Sequence, residues 1–336
     1  MKKELDDKKY KIGIIGLGPV GLILAVHLRE AGCEVAICDL DKEKISLIRK
    51  SGVKLFGKIE QTTYFDHTYT SVAELGNHDF DILVSSVKAY HVDSVLDQVE
   101  KHFHKEGLYL LIAQNGLDIR SKYTNHFDES QMLRMVVNYA GNLHAPNAVY
   151  VTFFNPPNYI ASIDDSKEDV AIWLSDILTY GKLETKSTDS FDMVNNIWIK
   201  TILNAALSPL CAISKMTMKE AMDHPHTHEI VEQLILEAME VGRAEEVKFE
   251  PNFVKLCIRY LKSAGDHFPS LAVDLMNHNQ TEIDYMNGKI VEYGRKHYIR
   301  TPLNLTFTNL VTAVTHKNSL SKTTEPNDAK LNEVHL

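Results

Sequence analysis

The sequence lacks several features that would place it in particular classes of protein. Its four cysteines include no CxxC pair, which argues against a disulfide framework or a cysteine zinc site. Its first apolar run follows a charged N-terminus and is interrupted by glycines, unlike a signal peptide or a membrane span of about 20 apolar residues. We expect buried thiols in a reducing compartment, a cytoplasmic location and no membrane partner. The cysteines are Cys33, Cys38, Cys211 and Cys257.

An excess of basic residues is also missing, because the formal net charge is −9 and the isoelectric point is about 6.0. A protein that binds nucleic acid needs a cationic face to displace counterions from phosphates, so we expect no nucleic-acid partner. Histidines are frequent, but His224, His226 and His228 stand around Pro225 without an HExxH motif or a carboxylate partner. We therefore expect no metal site.

The first half of the chain alternates apolar, strand-like runs with amphipathic, helix-like stretches. Such alternation is typical of βαβ units and of a parallel sheet covered on both faces. We predict a doubly wound α/β Rossmann domain here. The alternating segments are Tyr10–Ile15, Val20–Ala31, Glu34–Cys38, Lys42–Lys50, Phe80–Ser85, His91–Phe103 and Leu108–Ile112.

The pattern changes twice further along the chain. Short strand-like pieces between residues 132 and 163 predict a mixed extension of the sheet, and residues 167–180 predict a helix. After residue 186 the pattern is helical almost to the end, with capping residues at Ser187-Thr188-Asp189. We predict a Rossmann domain over residues 1–188, an all-α domain over residues 189–318 and a disordered tail over residues 319–336. The predicted helices are Asn195–Ile213, Thr227–Val247, Pro251–Lys262 and Gln280–Lys296.

A glycine-rich loop predicts the ligand site of the first domain, because of the strand and helix around it as well as its own sequence. The loop follows an apolar strand and opens an apolar helix, as the GxGxxG turn of dinucleotide-binding domains does. In that turn the first glycine allows a tight bend, the second admits the pyrophosphate, and the third lets helix and strand pack closely. The helix N-terminus would supply free N–H groups to the phosphates. The loop is Gly16-Leu17-Gly18-Pro19-Val20-Gly21.

Asp39 ends the second predicted strand, about 20 residues beyond the loop, where dinucleotide-binding domains carry an acid that binds the adenosine ribose. A carboxylate at this point repels a 2′-phosphate, and no arginine stands nearby to accept one. Lys42 and Lys44 follow closely and weaken this discrimination. We predict that NAD(H) is favoured over NADP(H).

Five further motifs follow in chain order: Ser85–Tyr90, Ala113–Leu117, Lys200–Asn204, Ser208–Leu210 and Thr281–Gly288. Together they resemble the motifs of ketopantoate reductases, and the likeness runs from about Lys11 to Leu310. The resemblance implies a Rossmann domain, an α-helical domain, an active site in the cleft between them, and reduction of a branched 2-oxo acid. It makes Lys200 the general acid and places Asn204, Ser270 and Glu282 at the substrate and proton site. It also places Lys88 and Asn115 along the cofactor and the cleft.

The chemistry of these side chains is consistent with the implied roles. Hydride addition to a ketone leaves charge on oxygen, which a protonated Lys200 would neutralise by proton donation. Asn204 stands four residues on, on the same helix face, and Glu282 would keep the ammonium charged. Ser270 offers a hydroxyl to the substrate carboxylate. Each residue also has a structural alternative. Lys200 and Glu282 could form an ion pair on a solvated helix face, and Asn204 could be a helix-packing amide. Ser270 could be a helix N-cap after Pro269.

Three positions depart from the family pattern. The family usually has asparagine where Ser208 stands, and two further amides that would bind the hydroxyl end of ketopantoate fall at Met218 and His267. Loss of such partners weakens selection for a hydroxylated substrate. We therefore predict a 2-oxo acid substrate, first ketopantoate, with two alternatives: a different 2-oxo or 2-hydroxy acid, or a non-catalytic nicotinamide sensor. A homodimer is expected only because dimers are the commonest assemblies.

Overall fold

The computed structural model describes residues 10–324. The chain forms two compact units that divide between Thr201 and Ile202, inside a long helix. The domain division predicted after residue 188 lies just before that helix begins. Residues 325–336 of the predicted tail lie outside the described residues, whereas residues 319–324 continue the last helix.

The first unit contains twelve strands among its described residues. They are β1 (Lys11–Ile15), β2 (Glu34–Cys38), β3 (Val53–Gly57), β4 (Gln61–Thr63), β5 (His67–Tyr69), β6 (Ile82–Ser85), β7 (Tyr109–Ile112), β8 (Met132–Val136), β9 (Tyr139–Ala145), β10 (Ala148–Phe154), β11 (Asn158–Ser162) and β12 (Thr185–Ser187). Eight of them form one sheet in the order β12-β11-β8-β7-β6-β1-β2-β5. The other four form a second sheet in the order β4-β3-β10-β9.

Helices cover the strands of the first unit and make up most of the second. In chain order they are α1 (Pro19–Glu30), α2 (Lys42–Ser51), α3 (Val72–Leu75), α4 (Val92–His102), α5 (Glu168–Tyr180), α6 (Ser190–Ser214), α7 (Met218–Asp223), α8 (Pro225–Ala244), α9 (Phe253–Ser263), α10 (Ser270–Met276), α11 (Asn287–Lys296) and α12 (Pro302–Thr324). The predicted Rossmann domain followed by an α-helical domain is therefore confirmed.

The central strands are apolar on both faces because helices cover both sides of the sheet. In β1, β2 and β6 every residue is buried except the first residues of β1 and β2. β1 pairs in parallel with β2 on one side and with β6 on the other. The strand order therefore reverses next to β1, and ligands of open α/β sheets bind at such a point, outside the carboxyl ends of the strands.

The predicted extension of the sheet by residues 132–163 is confirmed only in part. β8 and β11 do join the main sheet, and β11 pairs antiparallel with β8. β10 instead pairs in parallel with β3, placing Ala148 beside Lys54, and belongs to the second sheet with β9. This part of the prediction is wrong because that pairing joins segments about 90 residues apart, which local periodicity does not reveal.

One predicted helix of the second unit begins later than expected. A single helix was predicted over residues 280–296, but α11 starts at Asn287. Before it, Ile283–Tyr285 forms one turn of 3-10 helix, and Met286 interrupts the helix with φ −115° and ψ −94°. The apolar spacing of Ile283, Met286 and Ile290 continues across this break, so periodicity alone joined the two pieces.

The long helix α6 begins where capping was predicted. The carboxylate of Asp189 accepts a hydrogen bond from the backbone N–H of Asp192 at 2.7 Å, which satisfies one of the free N–H groups of the first turn. By length and composition alone, α6 meets the criteria for a membrane span, the one described helix that does. Its most apolar window is 67% buried inside the protein, as core helices are.

The predicted burial of the cysteines is confirmed. Cys33, Cys38, Cys211 and Cys257 are all buried and free. Burial raises the pKa of the Cys33 thiol to about 11 and that of the other three to about 12. These thiols therefore stay protonated at neutral pH and pack as small apolar groups.

Candidate active site

The glycine loop connects β1 to α1 at the point where the strand order reverses. Gly16 has φ +94°, in the region that favours glycine, and a Cβ on it would lie 2.6 Å from the backbone nitrogen of Val87. A Cβ on Gly21 would lie 2.1 Å from the carbonyl oxygen of Gly16. These two glycines are therefore required by the close packing of strand, turn and helix.

Gly18 differs from the other two glycines of the loop because a Cβ on it would meet no atom within 4 Å. The open space lies at the N-cap of α1, where Pro19 begins the helix and the first turn has no acidic residue. An anion there would meet free backbone N–H groups and the positive end of the helix dipole. This part of the loop fits the pyrophosphate of a dinucleotide, which would fill the space that a side chain leaves open.

Asp39 lies at the carboxyl end of β2, and three donors already surround its carboxylate. Its Oδ2 accepts hydrogen bonds from the backbone N–H of Leu17 at 2.8 Å and from Lys44 Nζ at 2.9 Å. Its Oδ1 accepts from the backbone N–H of Asp41 at 3.0 Å. The carboxylate therefore connects the end of β2 to the glycine loop, and its predicted contact with the ribose stays a prediction.

The ion pair between Lys44 and Asp39 was not predicted from the sequence. Lys44 lies in the first turn of α2, its side chain is 10% exposed, and the side chain of Asp39 is 16% exposed. A pair so shielded from water is screened less than a surface ion pair. The sequence contains one indication of this ion pair: Lys44 follows Asp39 by five residues, although the two residues belong to different elements.

The loop after β6 holds the glycine loop from its other side. Ser86 Oγ donates a hydrogen bond to the carbonyl oxygen of Gly16 at 2.7 Å, and its backbone N–H donates to that of Ile15 at 3.0 Å. Lys88 stands two residues further on, partly exposed, just before a turn of 3-10 helix at Ala89–His91. The predicted cofactor-side lysine is therefore carried by the same short loop that braces Gly16.

Asn115 lies in the loop after β7, and its own side chain has no hydrogen bond to another described residue. Its neighbours are firmly held. Gln114 Nε2 donates to Ser85 Oγ at 2.8 Å, and the buried guanidinium of Arg134 donates to the carbonyl oxygens of Ile112 and Gly116. The loop is therefore rigid on both sides of a partly exposed amide that is available to a ligand.

Arg134 was not among the predicted site residues, although it is the one charged side chain of β8. Burial lowers its pKa to about 10, and three backbone carbonyls compensate the cation. The sequence indicated this residue by placing a single arginine inside an otherwise apolar strand.

Lys200 and Asn204 lie one turn apart on α6. The ten residues from Thr201 to Leu210 are buried except for Asn204, which is partly exposed. Neither the Lys200 ammonium nor the Asn204 amide has a hydrogen bond or ion pair to a described residue of its own unit. Desolvation by burial lowers the pKa of Lys200 to about 8, although the residue as a whole keeps some solvent exposure.

Ser270 and Glu282 lie in the second unit. Ser270 is the exposed first residue of α10, and Pro269 occupies the N-cap position before it. The structural alternative in which Ser270 caps this helix is therefore not what the structure has. Glu282 is partly exposed and precedes the turn of 3-10 helix before α11. The cleft implied by the family resemblance, and the ion pair of Glu282 with Lys200, stay predictions.

Two of the three positions that depart from the family pattern, Met218 and His267, lie side by side. The backbone N–H of Met218 donates to the carbonyl oxygen of His267 at 2.9 Å, and Thr217 Oγ1 donates to Asp266 Oδ1 at 2.6 Å. Met218 and His267 are both partly buried, and the loop that carries His267 leads directly to Ser270. Burial lowers the pKa of His267, although Asp266 opposes the shift. The two substitutions therefore change a single patch of the second unit.

The fold and the loops at the carboxyl ends of β1, β2, β6 and β7 define a dinucleotide-binding protein of the Rossmann class. Two sequence models, described as "Ketopantoate reductase PanE/ApbA" and "Ketopantoate reductase PanE/ApbA C terminal", match residues 12–164 and 192–315. The chain belongs to the ketopantoate reductase family, as its motifs indicated. It is an NAD(P)-dependent oxidoreductase.

Two curated relatives are named 2-dehydropantoate 2-reductase. The protein of Aquifex aeolicus is 27% identical over 311 residues, covering 90% of this chain and 96% of its own. That of Streptococcus pyogenes serotype M18 is 26% identical over 302 residues, covering 89% and 96%. Nearly the full length of both relatives is thus matched, at an identity that leaves room for a different substrate.

Solved structures agree with the fold. A ternary structure of D-mandelate dehydrogenase with NADH and anilino(oxo)acetate superposes with a TM-score of 0.81 at 25% identity, covering 92% of this chain and 99% of that one. A ketopantoate reductase of this family from Ralstonia eutropha JMP134 superposes with a TM-score of 0.80 at 22% identity, covering 92% and 99%.

Proposed function

We propose that the protein reduces a 2-oxo acid to a 2-hydroxy acid with NADH, and that its first candidate substrate is 2-dehydropantoate. The observation that carries the proposal is the pair on α6: a lysine whose pKa burial lowers to about 8, one turn from an amide, neither with a partner among the described residues of its own unit. The names of the Aquifex and Streptococcus relatives support the substrate.

When bound, the reduced nicotinamide supplies a hydride to the carbonyl carbon of the substrate. The electron pair of the C=O double bond then becomes alkoxide charge, and the alkoxide takes a proton from Lys200 Nζ. Neutral Lys200 regains its proton from solvent. Asn204 would hold the substrate oxygen beside the ammonium, Ser270 would bind the carboxylate, and Glu282 would favour the charged form of the lysine.

The proposed preference for NADH rests on Asp39. Its carboxylate accepts from Leu17 and Asp41, so it is held where an acid would bind the ribose hydroxyls. A solved relative with NADH bound also supports the use of this cofactor. Lys44 partly neutralises the carboxylate, so we expect discrimination against NADPH to be moderate.

A second candidate substrate is an aryl 2-oxo acid. It is favoured by Met218 and His267, which replace two amides and lie together in one patch next to Ser270. The structure of D-mandelate dehydrogenase, whose substrate class is a 2-hydroxy acid with an aromatic group, supports this alternative at 25% identity. The side chains of Met218 and His267 would hold a phenyl ring better than a hydroxymethyl group, whose hydroxyl needs a hydrogen-bond partner.

A steady-state panel tests both candidates. The initial rates of NADH and NADPH oxidation would be measured with 2-dehydropantoate, phenylglyoxylate and 2-oxobutanoate. A kcat/KM for 2-dehydropantoate that exceeds the others by a hundredfold would remove the aryl candidate, and the reverse would remove the first. Tight binding of NADH without turnover of any 2-oxo acid would reject the reductase and favour a nicotinamide sensor.

The remaining predictions are part of the same proposal. We propose that the enzyme acts in the cytoplasm without a nucleic-acid or membrane partner and forms a homodimer, on the strength of its composition and of the commonest assembly of such enzymes. Sedimentation equilibrium would measure the assembly, and a mass of one chain at micromolar concentration would reject the dimer.

A further inference from the structure

The helix that carries Lys200 and Asn204 has a proline inside it. Pro209 lies within α6, which nevertheless continues without interruption from Ser190 to Ser214. Proline has no N–H, so the carbonyl oxygen four residues earlier, that of Ala205, loses its helical hydrogen bond. Ala205 and Pro209 are both buried, where water does not replace the lost donor. The donor must come from elsewhere in the protein.

Asn287 supplies that donor. Its side-chain Nδ2 donates to the carbonyl oxygen of Ala205 at 2.9 Å, across 82 residues of sequence. Asn287 is the first residue of α11 and is 0% exposed. The carbonyl that Pro209 deprives of a partner is thus paired with a side chain of another helix.

The orientation of the Asn287 amide follows from its neighbours rather than from its own shape. Nδ2 also donates to Asn304 Oδ1 at 3.0 Å, and Asn304 Nδ2 donates to Glu237 Oε2 at 2.9 Å. The Glu237 carboxylate accepts further hydrogen bonds from the backbone N–H groups of Leu303 and Asn304. An ionised carboxylate can only accept hydrogen bonds. Glu237 therefore fixes the orientation of the Asn304 amide, and Asn304 in turn fixes that of the Asn287 amide.

This arrangement leaves one polar atom unpaired. Asn287 Oδ1 is buried and has no hydrogen-bond partner among the described residues. A buried acceptor without a partner is unfavourable. Asn287 therefore contributes through the donors of its amide, and its position is not one that packing alone would favour.

Ala205 directly follows Asn204, so the bond acts on the turn that carries the candidate substrate amide. We propose that Asn287 is a positioning residue: its side chain replaces the backbone hydrogen bond that Pro209 removes and thereby holds Asn204 in its place on α6. This inference rests on the proposed function, since it gives Asn204 a substrate to hold. Small displacements of a positioning group cost up to about 100-fold in rate.

The test uses suppression of one variant by another. In Asn287→Ala, we expect kcat/KM for the 2-oxo acid to fall by about tenfold to 100-fold, while the dissociation constant of NADH stays the same. In Pro209→Ala/Asn287→Ala, the new backbone N–H at position 209 can donate to Ala205, so most of the lost activity should return. Pro209→Ala alone is the matched control, because it leaves the Asn287 donor in place and should change kcat/KM little. Equal loss in Asn287→Ala with and without Pro209→Ala would overturn the proposal.

Hydrogen exchange keeps this test separate from the proposed function. Mass spectrometry would follow amide exchange in residues 203–210, which we expect to accelerate in Asn287→Ala and to slow again in the double variant. If the wild-type protein reduces no 2-oxo acid, the proposed function fails, and the exchange data alone decide whether Asn287 replaces the missing bond. Unchanged exchange in Asn287→Ala would overturn that replacement. Accelerated exchange with unchanged kcat/KM would overturn the positioning role.

Discussion

The backbone N–H of Leu17 donates a hydrogen bond to Asp39 Oδ2 at 2.8 Å, which connects the glycine loop to the end of the second strand. The same oxygen accepts from Lys44 Nζ, so a single carboxylate carries a loop contact and a shielded ion pair. Substitutions at Asp39 therefore change both the shape of the loop and the charge at the proposed ribose site. An isosteric substitution separates these two effects.

Asp39→Asn should shift cofactor preference towards NADPH. The side-chain oxygen can still accept from Leu17, but the negative charge that repels a 2′-phosphate is gone and Lys44 loses its partner. A hydrogen bond to a charged group contributes about 1.5–3 kcal/mol, so we expect the ratio of kcat/KM for NADH over NADPH to fall by about tenfold or more. Steady-state kinetics with both cofactors would measure the ratio.

Lys44→Gln provides the control for this prediction. Added to Asp39→Asn, it should abolish most of the gain in NADPH use, because the cation that attracts the 2′-phosphate is removed. A ratio that stays constant across all three variants would show that Asp39 does not govern cofactor choice.

Gly18→Ala and Gly21→Ala should separate ligand binding from folding. Gly18 has ordinary extended backbone and open space around it, so alanine there should leave the melting temperature unchanged and weaken NADH binding by filling the proposed pyrophosphate site. Alanine at Gly21 would place its Cβ 2.1 Å from the carbonyl oxygen of Gly16, and such overpacking costs about 1–3 kcal/mol or more. Calorimetry and cofactor titration would measure both effects. Full NADH affinity in Gly18→Ala would contradict the placement of the pyrophosphate.

Lys200→Met should abolish most of the reductase activity without unfolding the protein. Loss of a general acid lowers kcat by about 100-fold to 10,000-fold. Burial lowers the pKa of Lys200 to about 8, which means that the folded state disfavours the charged ammonium at pH 7. Methionine removes that unfavourable charge, so the free energy of unfolding at pH 7 should rise. Denaturant unfolding, with Lys200→Arg as the charge-retaining control, would measure it, and a clear loss of stability in Lys200→Met would contradict the burial argument.

The same pKa predicts opposite pH profiles for the two directions of the reaction. Reduction needs the protonated lysine, so kcat should be highest below pH 8 and fall as the pH rises through about 8. Oxidation of the hydroxy acid needs the neutral amine, so kcat should rise over the same interval. Initial rates between pH 6 and pH 10 would measure both limbs. Two limbs that move in the same direction would exclude Lys200 as the proton donor.

The parallel core of the first unit could be predicted because its information is local. The elements β1, α1, β2, α2, β6, α4 and β7 each occupy a short stretch with its own period, and the helices appear between the strands that they cover, whereas β3, β4, β5 and α3 were not predicted. The glycine loop and Asp39 follow β1 and β2 directly, so their places at one edge of the sheet also follow from chain order. Lys200 and Asn204 belong to this group, since a single helix turn brings them to one face.

Other features depend on pairings between distant segments. The parallel pairing of β10 with β3, the contact of Met218 with His267, and the Asn287 bond to Ala205 join residues that no local period relates. Such contacts join segments that are far apart in the chain, so only the tertiary structure decides them. The amino-acid sequence alone determines that this chain has a glycine loop opening on a Rossmann helix, because backbone geometry demands glycine there. The tertiary structure decides which carboxylate, lysine and amide hold that loop and the helix α6 in place, because those partners arrive from elsewhere in the fold.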